Sequence, residues 1–303
     1  TMANLGVIRT EFGRFGRQVS GYALQHLLPE HGFDVTRFLV GSEGTLGVVT
    51  AATVRLSHDF AHRRLVVLGY PSLAEAADAV PSVLGLRPTA CEGLDARIVD
   101  VVRARHEVAA VPDLPAAAGW LFVELAGDDP SELAGRVSTL AAGHEAVRVI
   151  DGPAEQAALW RLRSDGAGYA SIGLAEPAHP GWEDAAVPPE RLGDYLRDFE
   201  VLLAEHGLHG LPYGHFGEGC VHCRIDFPLG RAGGSTAYRR FVEAAADLVA
   251  GYGGSLSGEH GDGRARSALL DRMYSPAALS LFAQIKALFD PHDLLNPGVL
   301  VRP

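Results

Sequence analysis

From residue 63 onward the chain alternates between two apolar spacings, and this alternation limits the fold more than any other feature. "RRLVVLGY" at 63–70 is a short run rich in Val and Leu, the pattern of a buried strand. Ser72 and Glu75 then have capping-box spacing, which starts a helix running to about Leu84. "GWLFVELAG" reads as a strand, and "DDPSELAGRVSTLAAG" as a helix with Asp129 as cap, Pro130 in the first turn and Gly143 as stop. "HEAVRVID" is a further strand, and a helix opens at Pro153. "PPERLGDYLRDFEVLLAEHG" places Leu192, Leu196, Phe199, Leu202 and Leu203 on one helical face. In "CVHCRIDF", Val221, Cys223, Ile225 and Phe227 alternate with His222, Arg224 and Asp226, the period of a strand. Two more helices follow, the last capped within "SPAALSLFAQIKALFDP". Residues 1–58 are loop-heavy and end in "GVVTAATVRLSH", where Val49, Ala51, Val54 and Leu56 suggest a strand. No GxGxxG follows the first strand. The expectation is therefore an α+β fold with helices on one face of a sheet, not a doubly wound dinucleotide-binding sheet.

Composition removes several function classes. The 303 residues carry a formal net charge of −11 and no Lys/Arg cluster, which argues against a nucleic-acid partner. No apolar stretch reaches membrane-spanning length, and no secretory signal opens the chain. Three cysteines, Cys91, Cys220 and Cys223, are too few for a disulfide framework and fit a reducing compartment. The expected location is cytoplasmic, or peripheral to the inner membrane. "TMANLGVIRTEFG" begins without a capped element, so the chain reads as a fragment of something longer.

Two glycine-rich stretches hold the residues suited to chemistry: "YGHFGEGCVH" at 213–222 and "SGEHGDG" at 257–263. Gly217 and Gly219 forbid a helix between His215 and His222, and they let the chain turn so that the two imidazoles converge. Two imidazoles with one carboxylate, Glu259 being available, make a common catalytic set for a divalent ion such as zinc. Solvated loop histidines are the plainer reading. Cys220 and Cys223 form C-x-x-C, so a structural zinc site in a non-catalytic module is a rival, although strand alternation turns Cys223 toward the core. In "RFLVGSEGTLGVVT", a strand is expected to lead into the loop and another out of it. Gly41, Gly44 and Gly47 with Ser42, Glu43 and Thr45 between them expose backbone N–H groups to a large anionic or planar ligand.

These residues carry a resemblance. "VGSEGTLGVVTAATVRL" and the preceding "RQVSGYALQHLL" are similar to the end of the FAD-binding domain in the FAD-linked oxidase superfamily of the vanillyl-alcohol-oxidase type. "GHFGEGCVH" resembles the H-x-G-D-G-N-x-H motif of its D-2-hydroxyacid dehydrogenase branch. "SGEHGDG" and "LFDPHDLLNPG" resemble that branch's S-x-E-H-G-x-G and F-D-P-x-x-x-L-N-P-G motifs. The branch includes D-2-hydroxyglutarate and D-lactate dehydrogenases and the glycolate oxidase flavin subunit. "SGEHGDGRARSALL" and "WEDAAVP" look most like large bacterial members that fuse the flavin unit to an iron–sulfur module absent from this chain.

The resemblance implies a ferredoxin-like antiparallel sheet as a cap domain, preceded by the C-terminal end of a PCMH-type FAD-binding domain. It divides the chain into 1–58 as an incomplete FAD-binding part, 59–270 as the substrate cap, and 271–303 as a C-terminal helix and tail. It implies a divalent metal, zinc, on His215, His222 and Glu259; His260 as general base; and Arg163, with Arg161 as fallback, for a substrate carboxylate. Tyr22 joins residues 41–47 at the flavin, as does Asn296, which alternatively caps its own turn. The implied reaction is metal-assisted oxidation of a D-2-hydroxy acid to the 2-oxo acid, with hydride passing to FAD. Electrons then pass to an iron–sulfur module, a quinone or an electron-transfer flavoprotein. A metal-independent flavin alcohol oxidase of the same superfamily is the alternative enzyme. Three positions depart from the pattern: Glu218 replaces Asp, Cys220 replaces Asn, and Trp182 falls near where some members carry a substrate-binding lysine.

Overall fold

The computed structural model describes residues 4–105 and 112–301. The chain divides into two compact units, one formed by Ser57–Glu183 with Pro188–Ala245, the other by Thr1–Leu56, Asp184–Val187 and Ala246–Pro303.

The larger unit is built on an antiparallel sheet. Its strands are β1 (His62–Tyr70), β2 (Ala90–Asp95), β3 (Gly119–Gly127), β4 (Val147–Ile150), β5 (Gly210–Gly214) and β6 (Cys220–Ile225), in spatial order β4-β1-β3-β2-β5-β6. The first four, with helix Leu73–Leu84 between β1 and β2 and helix Pro130–Ala141 between β3 and β4, form the expected ferredoxin-like arrangement. The caps follow the sequence. The Ser72 hydroxyl accepts from the Glu75 N–H at 3.1 Å, and the Asp129 carboxylate accepts from Ser131 and Glu132. β1 pairs with β3 from His62↔Gly127 to Tyr70↔Gly119, and Leu65, Val66, Val67 and Leu68 are all fully buried. A central strand covered on both faces needs such a continuous apolar run. One core cluster joins Leu65, Val67, Phe122 and Trp120 of the sheet to Leu159 and Leu162 of helix Pro153–Ser164.

Two registers position the functional residues. Gly93 of β2 lies opposite Gly214 of β5, so Glu92 and His215 are next in line. Tyr213 of β5 lies opposite His222 of β6. Gly93 has no side chain because a Cβ there would stand 2.4 Å from the Phe216 ring.

The smaller unit has an aromatic core. Phe12 stacks on Tyr274 at 4.8 Å between centroids, and Phe282 packs edge-on against Tyr22 at 5.3 Å. Helix Pro276–Phe289 is capped by the Ser275 hydroxyl. Its Lys286 is buried, and the ammonium donates to Asp290 Oδ2 at 2.5 Å and to the carbonyls of Thr45 and Leu295.

The strands expected around residues 41–47 are not formed. Val35–Leu39 is a short helix, because the Asp34 carboxylate caps it through the Arg37 N–H at 2.9 Å. Residues 48–61 form no ladder. Val48, Val49, Val54 and Leu56 are 78%, 79%, 73% and 87% exposed, and apolar alternation makes a strand only where a neighbouring strand supplies hydrogen bonds.

Candidate active site

In the larger unit the hairpin between β5 and β6 brings the two motif histidines together. The turn Phe216–Glu218 is closed by Gly219 in the left-handed region at φ 76°, and the Cys220 N–H returns to the His215 carbonyl at 3.1 Å. The imidazoles of His215 and His222 lie 5.3 Å apart between centroids, at 86°. Tyr213 packs against His222 at 5.3 Å, as their register requires.

Each imidazole is oriented through Nδ1. His222 Nδ1 lies 2.5 Å from the Glu183 carbonyl oxygen, and His215 Nδ1 lies 2.9 Å from Glu92 Oε1. Carbonyl and carboxylate oxygens only accept, so each Nδ1 carries a proton, and in the neutral ring the lone pair is then on Nε2. Metal-ligating histidines are held in this way.

Arg163 is 9% exposed on helix Pro153–Ser164, whereas Arg161 is exposed. The Arg163 guanidinium converges on Glu92 Oε2, with Nη2 at 2.7 Å and Nε at 3.0 Å, and its Cζ lies 5.2 Å from the centre of the Tyr213 ring. Arg224, on β6, pairs with Glu183 at 3.1 Å. Trp182 is buried and donates its indole N–H to the Tyr195 hydroxyl at 3.2 Å. Cys220 and Cys223 are buried at the start and middle of β6, and burial pushes the Cys223 thiol well above its ordinary value. Among the described residues no cysteine joins a group of metal-capable side chains, which gives the C-x-x-C zinc rival no support.

In the smaller unit the "SGEHGDG" loop is organised by Asp184, which the sequence reading did not single out. The Asp184 carboxylate is 1% exposed and accepts from the Ser257 hydroxyl at 2.5 Å, from the Glu259 N–H and from the His260 N–H at 2.8 Å. Asp184, Glu259 and His260 each bring a possible ligand atom within 4.8 Å of one another. His260 Nε2 is 3.6 Å from Glu259 Oε1, and Arg17 Nη1 is 2.7 Å from Glu259 Oε2.

The residues expected at the flavin lie beside this loop. Glu43, at φ 54°, accepts the Asp262 and Gly263 N–H groups at 2.7 and 2.8 Å, and its carbonyl accepts from Asn296 Nδ2 at 2.8 Å. The Ser42 and Thr45 N–H groups close turns on Leu39 and Ser42. Tyr22 is buried, and its hydroxyl is 2.7 Å from Thr45 Oγ1. Gly41, Gly44 and Gly47 have open space where a Cβ would stand. Asp262 is 1% exposed; burial pushes its carboxyl up to about 6, against the Gly21 N–H that its Oδ2 accepts at 2.7 Å.

A family model described as FAD linked oxidases, C-terminal domain, matches residues 60–300. The chain is 33% identical over 325 residues to D-2-hydroxyglutarate dehydrogenase of Escherichia coli (strain K12), which covers 98% of this chain and 31% of that protein. It is 32% identical over 294 residues to D-lactate dehydrogenase of Archaeoglobus fulgidus, covering 96% of this chain and 60% of that one. The chain thus spans only part of the length of these relatives. Among solved structures, p-cresol methylhydroxylase with substrate bound matches with a TM-score of 0.58 at 11% identity, over 80% of this chain and 53% of that one. Alkyldihydroxyacetonephosphate synthase matches with a TM-score of 0.53 at 15% identity, over 88% and 49%. At such identities these two likenesses show a shared fold.

Proposed function

Since the chain belongs to the FAD-linked oxidases and carries their C-terminal domain, we propose that it forms the substrate-facing part of an FAD-dependent dehydrogenase that oxidises a D-2-hydroxy acid to the 2-oxo acid. The observation that carries this reading is the pair of imidazoles 5.3 Å apart, each held through Nδ1 so that both present Nε2. Relatives named for D-2-hydroxyglutarate and D-lactate supply the substrate class.

In this reading His215, His222 and Glu259 hold a divalent ion, with zinc as the candidate. His222 is held through Nδ1 at the Glu183 carbonyl, and the backbone amides of Glu259 and His260 are held by the Asp184 carboxylate. The donor set of two imidazoles and a carboxylate leaves a position for substrate. When bound, such an ion supplies acidity: it lowers the pKa of coordinated water from about 16 to about 7, and a hydroxyl ligand feels the same pull. FAD, when bound, supplies the two-electron acceptor that no side chain provides. The bare backbone at Gly41, Gly44 and Gly47 fits close approach by such a planar, anionic group.

The chain's own residues do the rest. Arg163 takes the substrate carboxylate with its planar fork, a task for which lysine is a poor substitute. His260 accepts the hydroxyl proton, and Glu259 Oε1, 3.6 Å from its Nε2, steadies the resulting positive charge. The 1–58, 59–270 and 271–303 division assigns these roles to a flavin-side part, a substrate cap and a returning tail. The electrons then leave to an iron–sulfur module, a quinone or an electron-transfer flavoprotein. No helix among the described residues is long and apolar enough to cross a membrane, and a cytoplasmic or membrane-peripheral location is proposed.

Anaerobic mixing of the full-length, FAD-loaded protein with D-2-hydroxyglutarate, D-lactate or glycolate tests the reading. At least one of these acids is expected to bleach the oxidised-flavin absorbance, and the L enantiomer of the chiral ones is not. Bleaching by none of the acids, in protein that retains FAD, would overturn it.

A further inference from the structure

Glu92 enters none of the motifs, yet it touches both ends of the proposed site. One oxygen accepts from His215 Nδ1 at 2.9 Å, and the other takes Arg163 Nη2 at 2.7 Å and Nε at 3.0 Å. The side chains of Glu92 and Arg163 are 12% and 11% exposed. An ion pair taken this far out of water gains little stability over apolar residues of the same volume. Packing alone therefore gives no reason for a carboxylate on β2. The β2–β5 register does: it aims residue 92 at His215, the residue that follows β5.

We infer that Glu92 is a positioning residue that links the metal end of the site to its acid-binding end. The inference rests on the metal reading proposed above. Through Oε1 it fixes the Nδ1–H tautomer of His215, so the lone pair is held on Nε2, and its negative charge makes that nitrogen a stronger donor. Through Oε2 it holds the Arg163 guanidinium in place over Tyr213, where an incoming carboxylate can be met by an arginine already oriented. One carboxylate thus serves two cations, and what binds at one end is felt at the other. By linkage, an acid anion drawing on Arg163 alters how firmly His215 holds an ion, and the reverse holds to the same degree.

Glu92→Gln is the test. Glutamine keeps the shape and one acceptor oxygen but loses the charge and cannot serve both partners. Two readouts apply to the full-length protein: zinc affinity, by competition with a chromophoric chelator, and the ¹⁵N shifts of the His215 ring without metal. Glu92→Gln is expected to bind zinc about 10- to 100-fold more weakly, the usual effect of removing a histidine's outer partner. The His215 ring is expected to move from a single Nδ1–H tautomer toward a mixture. Unchanged zinc affinity and an unchanged tautomer would overturn the role of Glu92 while leaving the metal reading standing. If wild type binds no zinc, the metal reading fails by itself, and the tautomer alone decides whether Glu92 positions His215. If Glu92→Gln does not fold, Glu92→Asp replaces it: withdrawing the carboxylate by one methylene breaks at least one of the two contacts and must weaken zinc or release the tautomer.

Discussion

At Gly93 the site tolerates nothing larger than hydrogen. A Cβ there would stand 2.4 Å from Cε2 of Phe216, whose ring is fully buried and whose preceding residue is His215. Gly93→Ala must push that ring aside, and the shift passes directly to the hairpin that carries both histidines. The substitution is expected to lower stability by about 1–3 kcal/mol, the usual cost of overpacking, and to weaken the His215–Glu92 contact. A urea midpoint equal to wild type would show that the ring moves without cost. Residue-level legibility was uneven. His215, His222, Glu259 and His260 were conspicuous because histidines among glycines have little to pack against. Glu92 and Asp184 were not. Glu92 inside "ACEGLD" and Asp184 inside "WEDAAVP" follow no periodicity, and their importance comes from partners 71, 123 and 76 positions away.

Among the elements, the long helices and apolar strands were legible from spacing. Gly119–Gly127 and the helix opening at Pro153 are where they were expected. The strands that build the site were harder. β2 mixes two acids and a glycine into six residues, and β5 is "GLPYG", with two glycines and a proline, all of which weaken a strand reading. Conversely, residues 49–56 had the alternation of a strand and no ladder to join. The C-terminal helix makes its own prediction. Lys286, together with the Leu294 and Leu295 amides, holds the Asp290 carboxyl at about 2, below its ordinary 3.8. A depressed carboxyl contributes stability that is complete above the ordinary value and is lost as pH falls toward the folded value. Asp290→Asn should therefore destabilise at neutral pH, with the gap to wild type narrowing between about pH 4 and pH 2. Urea midpoints across that range provide the check, and a gap of constant size would count against the pairing.

For the whole molecule, alternating strand and helix patterns were enough to foresee an α+β fold with helices against a sheet, because each apolar spacing fixes its element; the ferredoxin-like antiparallel order was implied by the family resemblance alone. The composition of the smaller unit was not foreseeable. It takes residues from both ends of the chain and, through Asp184–Val187, from the middle, and those four residues have no local pattern that assigns them there. The central proposal is one metal on His215, His222 and Glu259. The most direct test is the metal content of the full-length protein after gel filtration, wild type against His222→Ala. About one divalent ion per chain in the wild type, absent from a folded His222→Ala, is the expected result. Metal-free wild type that retains its flavin, or equal metal in the variant, would contradict the claim.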